Sequence, residues 1–370
     1  MAEATLHRTP LFAEHVALNA KIVPFAGYEM PVQYPAGITA EHQAVRNAAG
    51  LFDVSHMGEF IVRGERALEF VQHVTTNDAS KIEVGQAQYS TLCNDDGFLL
   101  DDLLVYRFPD HCMLVVNGSN REKDWAWVSR FAGDFGVELE DRTDDIALLA
   151  LQGPRAQAIL ARLTDHDLDS IRYYRFAEGT VDGIPMIISR TGYTGEDGFE
   201  LYVGAEEAAA LWRRLLEVGK EDGLLPTGLG CRDSLRLEMG YALYGNDLDE
   251  ARTPLEAGLA WVTKLDKGEF VGRDALRRQK EEGVKVRLAG FKLRERGFPR
   301  HGYPVEYNGE RSGEVTSGTM SPTLGYGVGL AYVPVAAAKP GTEIGIVIRD
   351  RAVPAEVMRP PFHTGGTVRT

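Results

Sequence analysis

The sequence predicts an α+β fold in more than one domain, and three observations carry that reading. At 370 residues the chain is too long for one ordinary hydrophobic core and suggests two or three domains. Short strand-like and helix-like patterns alternate without an even strand–helix–strand repeat, which favours α+β over a doubly wound parallel sheet. After about Arg287 the character changes to short β-type segments rich in Gly and Pro, such as FPRHGYPV and GTEIGIVIRD. That stretch reads as a separate antiparallel β domain.

Local signals place the elements before it. Residues 39–49 read as a helix, with Thr39 as its N-cap and Gly50 just past its end. Residues 65–74 form a second helix, because Leu68, Val71 and Val74 share one face. Two apolar runs flank Asn94-Asp95-Asp96-Gly97, so residues 88–107 read as a hairpin, and residues 113–116 continue as a short strand. Another strand–turn–strand unit covers residues 186–203 and turns at residues 195–198. Helices follow over residues 205–221 and 230–239.

Composition narrows the function. Hydrophobic residues make up 44% and charged residues 25%, the profile of a soluble globular protein. No run of 18 apolar residues is present, and the N-terminus carries no signal- or transit-peptide pattern, so a cytoplasmic protein off the membrane is expected. Cys93, Cys112 and Cys231 lie far apart, which argues against a disulfide framework or a structural zinc site. A formal charge of −14 argues against nucleic acid as a partner. Residues 271–300 go the other way, with ten Lys/Arg against four Asp/Glu. That segment is either a solvated surface or a docking patch for an acidic partner.

The common catalytic signatures are missing: no phosphate-binding loop, no nucleophile elbow, and no histidine pair at ligand spacing, so metal catalysis is not expected. His56 sits in the polar run Asp53-Val54-Ser55-His56-Met57, where a structural hydrogen-bonding role is the plain reading. Three stretches stand out as costly to bury. Asp101-Asp102 interrupts an apolar strand, and alternation sends the two carboxylates to opposite faces. One of them can then enter a pocket with a tuned pKa, or both can cap neighbouring loops. Glu200 is a lone acid in an apolar strand after the glycine-rich run 190–198, with Tyr193 inside the turn. A carboxylate there either shapes the turn or accepts from a heterocycle with two adjacent N–H donors. Arg232 and Arg236 are four apart on a helix and share a face, suited either to an anionic ligand or to an internal ion-pair network.

Taken together these stretches resemble the glycine cleavage T-protein family. The matching runs are residues 25–34 (FAGYEMPVQY), 51–57 (LFDVSHM), 100–103 (LDDL), 148–154 (LLALQGP), 190–198 (RTGYTGEDG) and 232–238 (RDSLRLE). Residues 243–247 (LYGND), 253–256 (TPLE) and 313–318 (GEVTSG) continue in the same order. The resemblance implies a three-domain cloverleaf around a central folate channel, closed by a C-terminal β-barrel or jelly-roll-like domain. It implies two interleaved subdomains, residues 1–53 with 140–240 and residues 54–139 with 241–286, before a barrel of residues 287–370. It also implies transfer of the methylene of an aminomethyl-lipoyl carrier protein to tetrahydrofolate, with release of ammonia. Carried over by position, Asp102 is the catalytic carboxylate. Tyr193 and Glu200 hold the pterin, Met57, Tyr89 and Asn117 line the pocket, and Arg232 binds substrate. Two rival readings share the fold: another folate-dependent demethylase or methyltransferase, and a non-catalytic folate-binding factor of iron–sulfur maturation. The latter carries a cysteine where this chain has Glu269. The tail after Pro361-Phe362, HTGGTVRT, departs from the aromatic residues usual in the family, so ligand contact from the tail is not expected.

Overall fold

The computed structural model describes residues 6–368; the start of the N-terminal stretch and the last two residues of the tail lie outside the described residues. Two sheets pack back to back and a barrel closes the chain. The first sheet has the order Phe176–Val181, Ile184–Ser189, Gly198–Gly204, Ile146–Gln152, Ala49–Asp53 and Leu224–Thr227. Its neighbours are antiparallel except the last pair, which is parallel. Both faces are covered, which is why the strand IALLALQ reads as a continuous apolar run. On the outer face Leu149 and Leu151 meet helix Ala208–Gly219, whose Leu211, Trp212 and Leu215 are fully buried. Each such side chain contributes about 1.5–3 kcal/mol by leaving water.

The second sheet has the order Gln86–Cys93, Leu99–Arg107, His111–Val116, Gly58–Arg63 and Glu138–Asp141, antiparallel throughout. Helices Ala67–Val74 and Arg121–Phe135 cover its outer face. The inner faces of the two sheets meet in a seam built by Phe52, Leu148 and Tyr202 from one side and Ile61, Tyr106 and Val115 from the other. The chain crosses between sheets at Val54–Ser55, where Val54 N–H donates to the Leu148 carbonyl at 2.9 Å and Leu148 N–H donates to Ser55 Oγ at 3.0 Å.

The C-terminal region is a closed barrel in the order Val286–Leu293, Gly327–Pro334, Glu310–Met320, Pro304–Tyr307, Glu343–Ile348 and Arg351–Met358. Closure leaves no free sheet edge, so short Gly- and Pro-rich strands suffice. Among the described residues no helix is long and apolar enough to cross a membrane.

The structure moves several boundaries: the helices expected at residues 65–74 and 205–221 are Ala67–Val74 and Ala208–Gly219, and two other shifts matter more. The helix expected at residues 39–49 is Ile38–Asn47 with Gly37 at its N-cap, and Ala49 and Gly50 already belong to a strand. Gly50 is therefore not a helix cap. It lets helix and strand touch, since a Cβ there would lie 2.5 Å from a Val45 methyl and 2.8 Å from that of Thr227. The turn expected at residues 195–198 is a longer loop, because Gly198 opens the next strand.

Candidate active site

The aspartate pair lies where the Gln86–Cys93/Leu99–Arg107 hairpin is irregular. Thr91 faces Asp102 and Leu92 faces Asp101, but Cys93 faces Leu99, so Leu100 is an extra residue, a β-bulge. Alternation shows in the exposure: Asp101 is fully buried and Asp102 only partly. The carboxylates nonetheless do not point apart as alternation alone predicts. Asn117 Nδ2 donates to Asp101 Oδ1 at 2.9 Å and to Asp102 Oδ1 at 3.0 Å, bridging the two. Asp101 also accepts from the Asn117 backbone at 2.9 Å and from Asn120 Nδ2 at 2.5 Å. Asp102 accepts from Tyr89 Oη at 2.9 Å. Gly118 makes the Asn117 turn feasible, because a Cβ there would sit 2.0 Å from the His56 carbonyl oxygen. Burial and the Asp101 charge push Asp102 up to about 7, against the bonds from Tyr89 and Asn117.

Glu200 sits in the middle of the first sheet, opposite Ser189 and Ala150, and is buried. Its bonded partner is Thr191, whose hydroxyl donates to Oε2 at 2.5 Å. Burial raises its pKa; Thr191 and the Arg232 charge oppose this. The two helix arginines have different employment. Arg236 is committed internally, to Asp247 at 2.7 Å, Asp233 at 2.7 Å and Ser317 at 2.8 Å. The Arg232 guanidinium makes no hydrogen bond or ion pair among the described residues; it lies 4.7 Å from the Tyr193 ring centroid. Tyr193 stacks on Tyr241 at 5.7 Å and donates its hydroxyl hydrogen to the Ala242 carbonyl. Tyr193 is within electrostatic reach of both Asp102 and Arg232, which ties the acid end to the Glu200 end. Met57 packs in the same seam with Leu104 and Tyr174. His56 is buried edge-on to Phe25 at 5.4 Å, and burial holds it down to about 4.

Sequence reasoning missed four neighbours. Tyr173 and Tyr174 come from an unpatterned loop; Tyr174 has φ +61°, an uncommon backbone state for a tyrosine, and its carbonyl accepts from Ala87 N–H at 2.9 Å. Trp261 is 60% exposed and stacks on Tyr89 at 5.8 Å. An exposed tryptophan is invisible to pattern analysis until its ring is seen against a site residue. Asp124 is buried under the aspartate pair, but at the start of a helix it reads as an ordinary first-turn acid. The tail reaches the site from behind: Thr367 N–H donates to Glu196 Oε2 at 2.9 Å, and Asp197 N–H donates to Thr367 Oγ1 at 3.1 Å. The tail thus fastens the loop that carries Tyr193.

With this arrangement in view, residues 11–267 match the GCVT N-terminal domain and residues 287–363 the glycine cleavage T-protein C-terminal barrel domain. The chain belongs to the glycine cleavage T-protein family. Among its relatives an aminomethyltransferase of Halothermothrix orenii is 51% identical, covering 96% of this chain and 100% of that one. One of Symbiobacterium thermophilum is 53% identical, covering 97% and 98%. The crystal structure of glycine cleavage system aminomethyltransferase T from Bartonella henselae superposes with a TM-score of 0.92 at 36% identity, over 98% of this chain and 100% of that one.

Proposed function

We propose that the two ends of this seam divide the work of one folate reaction. The chain is an aminomethyltransferase of the glycine cleavage system. It moves the methylene of an aminomethyl-lipoyl carrier protein to tetrahydrofolate. Two folate N–H bonds are replaced by bonds to that carbon, the C–N and C–S bonds break, and the two protons leave with ammonia and the dihydrolipoyl thiol. The observation that carries the assignment is Asp102: a partly open carboxylate, held by Tyr89 and Asn117 and pushed up to about 7. A base with that proton affinity can take a proton from a folate nitrogen and return one to a leaving group near neutral pH.

At the other end Glu200 keeps an oxygen that no described group occupies, which fits adjacent donors on a pterin edge, and Tyr193 offers a flat wall. Met57 lines the same seam. The unpaired Arg232 fits a carboxylate of the folate. Replacing it with glutamine should raise the KM for tetrahydrofolate by about ten-fold or more, as expected for a charged hydrogen bond worth about 1.5–3 kcal/mol. Steady-state kinetics should leave kcat within about two-fold. A normal KM would remove Arg232 from the substrate site.

The interleaved division that the resemblance implies, residues 1–53 with 140–240 and residues 54–139 with 241–286, is favoured by the sheets and by the packing of Leu248, Leu259 and Phe270 on Cys93 and Leu99 of the second sheet, although strand Glu138–Asp141 runs two residues past the boundary. A cytoplasmic location is the natural setting for such an enzyme. For the carrier, whose docking the basic segment would serve, Arg277 and Arg278 are both exposed on helix Arg273–Glu282. Changing both to Glu should weaken carrier binding several-fold at low salt, with the difference shrinking as salt rises. Calorimetry at two ionic strengths reads this, and equal affinity would leave the patch a solvated surface. At position 269 an exposed Glu pairs with Arg273, where the non-catalytic maturation factors carry cysteine.

A further inference from the structure

Beneath Asp102 lies a second buried acid that the reaction scheme does not use. Asp124, on helix Arg121–Phe135, is fully buried, as is Asp101 above it. Neither Asp124 oxygen meets a hydrogen-bond donor among the described residues, and the group these oxygens face is the Asp101 carboxyl. Two carboxyls can share a hydrogen bond in an apolar pocket only if one of them carries a proton. Burial raises both acids, but Asp101 accepts three N–H bonds from Asn117 and Asn120 that oppose the rise and favour its anion, whereas Asp124 has none. The proton therefore belongs on Asp124.

We propose that Asp124 is a positioning residue for proton transfer: it stays protonated, donates to Asp101, and so keeps Asp101 an anion beside Asp102, whose proton affinity that anion sets. The chain of contact is Asp124 to Asp101, and Asp101 through Asn117 to Asp102. Burial and the Asp101 charge hold Asp124 far above the usual carboxylate range. The neighbouring charges do not undo this. Lys123, on the same helix, is drawn to Tyr244 Oη at 3.0 Å and Glu250 at 2.9 Å. Tyr244 faces the acids from the segment after helix Leu229–Met239, with Asp249 and Glu250 beside it, and burial raises it out of the neutral range. Facing Asp102 are also Tyr89, Tyr174 and Tyr193, all raised by burial and therefore neutral.

The inference rests on the assignment of Asp102, and the test separates the two. Asp124→Leu removes the donor to Asp101, which then takes up a proton more readily and pushes less on Asp102. The acid limb of the kcat/KM pH profile should move down by about one pH unit, a ten-fold change in proton affinity. Asp124→Asn keeps an N–H donor, so its limb should stay with the wild type. An Asp124→Leu limb that does not move, or an Asp124→Asn limb that moves equally far, overturns the proposal. Infrared spectroscopy at pH 9 tests the proton without activity. The wild type should show a buried protonated-carboxyl band that Asp124→Asn lacks, and identical spectra overturn the proposal even if the leucine variant does not fold. If instead Asp102→Asn retained the acid limb while the band persisted, the assignment of Asp102 would fail and the protonation of Asp124 would stand.

Discussion

Asp102→Asn should lower kcat for aminomethyl transfer by roughly 10²–10⁴-fold while tetrahydrofolate still binds with near wild-type affinity. The substitution keeps the shape of the side chain and leaves a carbonyl oxygen to accept from Tyr89 or Asn117, so the pocket is preserved and only the proton carrier is lost. In free-energy terms the loss is about 2.7–5.4 kcal/mol of transition-state stabilisation. Ammonia release from the loaded carrier measures the rate, and equilibrium titration measures folate affinity. Turnover within a few-fold of wild type would end the assignment. In the wild type, rate should fall as pH drops below about 7, where Asp102 becomes protonated and can no longer accept.

The same variant carries a stability signature. Asp102 has a folded pKa raised above that of the unfolded chain, so the native state holds the proton more tightly. The resulting cost to folding is absent below about pH 4, the ordinary range of an unfolded aspartate, and grows as pH rises to about 7. Asp102→Asn should therefore melt higher than wild type at pH 8, with the two curves converging toward pH 4. A buried acid held near neutrality for chemistry is a site where stability and function pull apart.

What could be read from sequence follows the range of each interaction. The hairpin around Asn94–Gly97 was legible because its turn chemistry is local, and the antiparallel β character of the C-terminal region because short Gly-punctuated strands need few other cues, whereas its closure into a barrel came only with the family resemblance. Glu200 was legible because a lone carboxylate in an apolar strand violates a rule on its own. The Asp pair was half legible. Alternation gave the difference in burial, but the bulge at Leu100 and the bridging Asn117 are tertiary features that override it. Arg232 and Arg236 look alike at four-residue spacing; only the Asp247 and Ser317 contacts show that Arg236 is already committed. Asp124, Tyr173, Tyr174 and Trp261 acquire their meaning from partners brought together by the seam, which no local pattern encodes.

The largest stability effect is expected at Arg46, which that kind of reading also passed over. Its guanidinium is nearly fully buried and binds Glu196 at 2.8 Å, Glu238 at 2.8 Å and the Thr194 carbonyl at 2.7 Å. Glu238 in turn accepts from Ser321 and from the Thr323 backbone at 3.2 Å, both next to the barrel, and lies 3.3 Å from His42 Nε2. Arg46→Met keeps the length of the side chain but leaves two buried carboxylates without their cation, a loss of about 3–5 kcal/mol. Chemical denaturation should show it as a lower midpoint. Replacing Glu238 with leucine in the same chain should recover part of the loss, because one of the two uncompensated charges is gone and only Glu196 is left without its cation. The pH dependence fixes the cause. Burial raises Glu238, but bonds from His42 and Ser321 and the Arg46 charge outweigh it and hold its pKa down to about 2. Its stabilising contribution is thus present above about pH 4.5 and is lost as pH falls toward 2. The deficit of Arg46→Met should be widest above pH 5 and should narrow in acid, whereas a simple packing defect would be constant across that range. Since Arg46 also grips the loop that presents Tyr193, the variant should bind folate more weakly at temperatures where it is still folded, which links the stability of this junction to the site it supports.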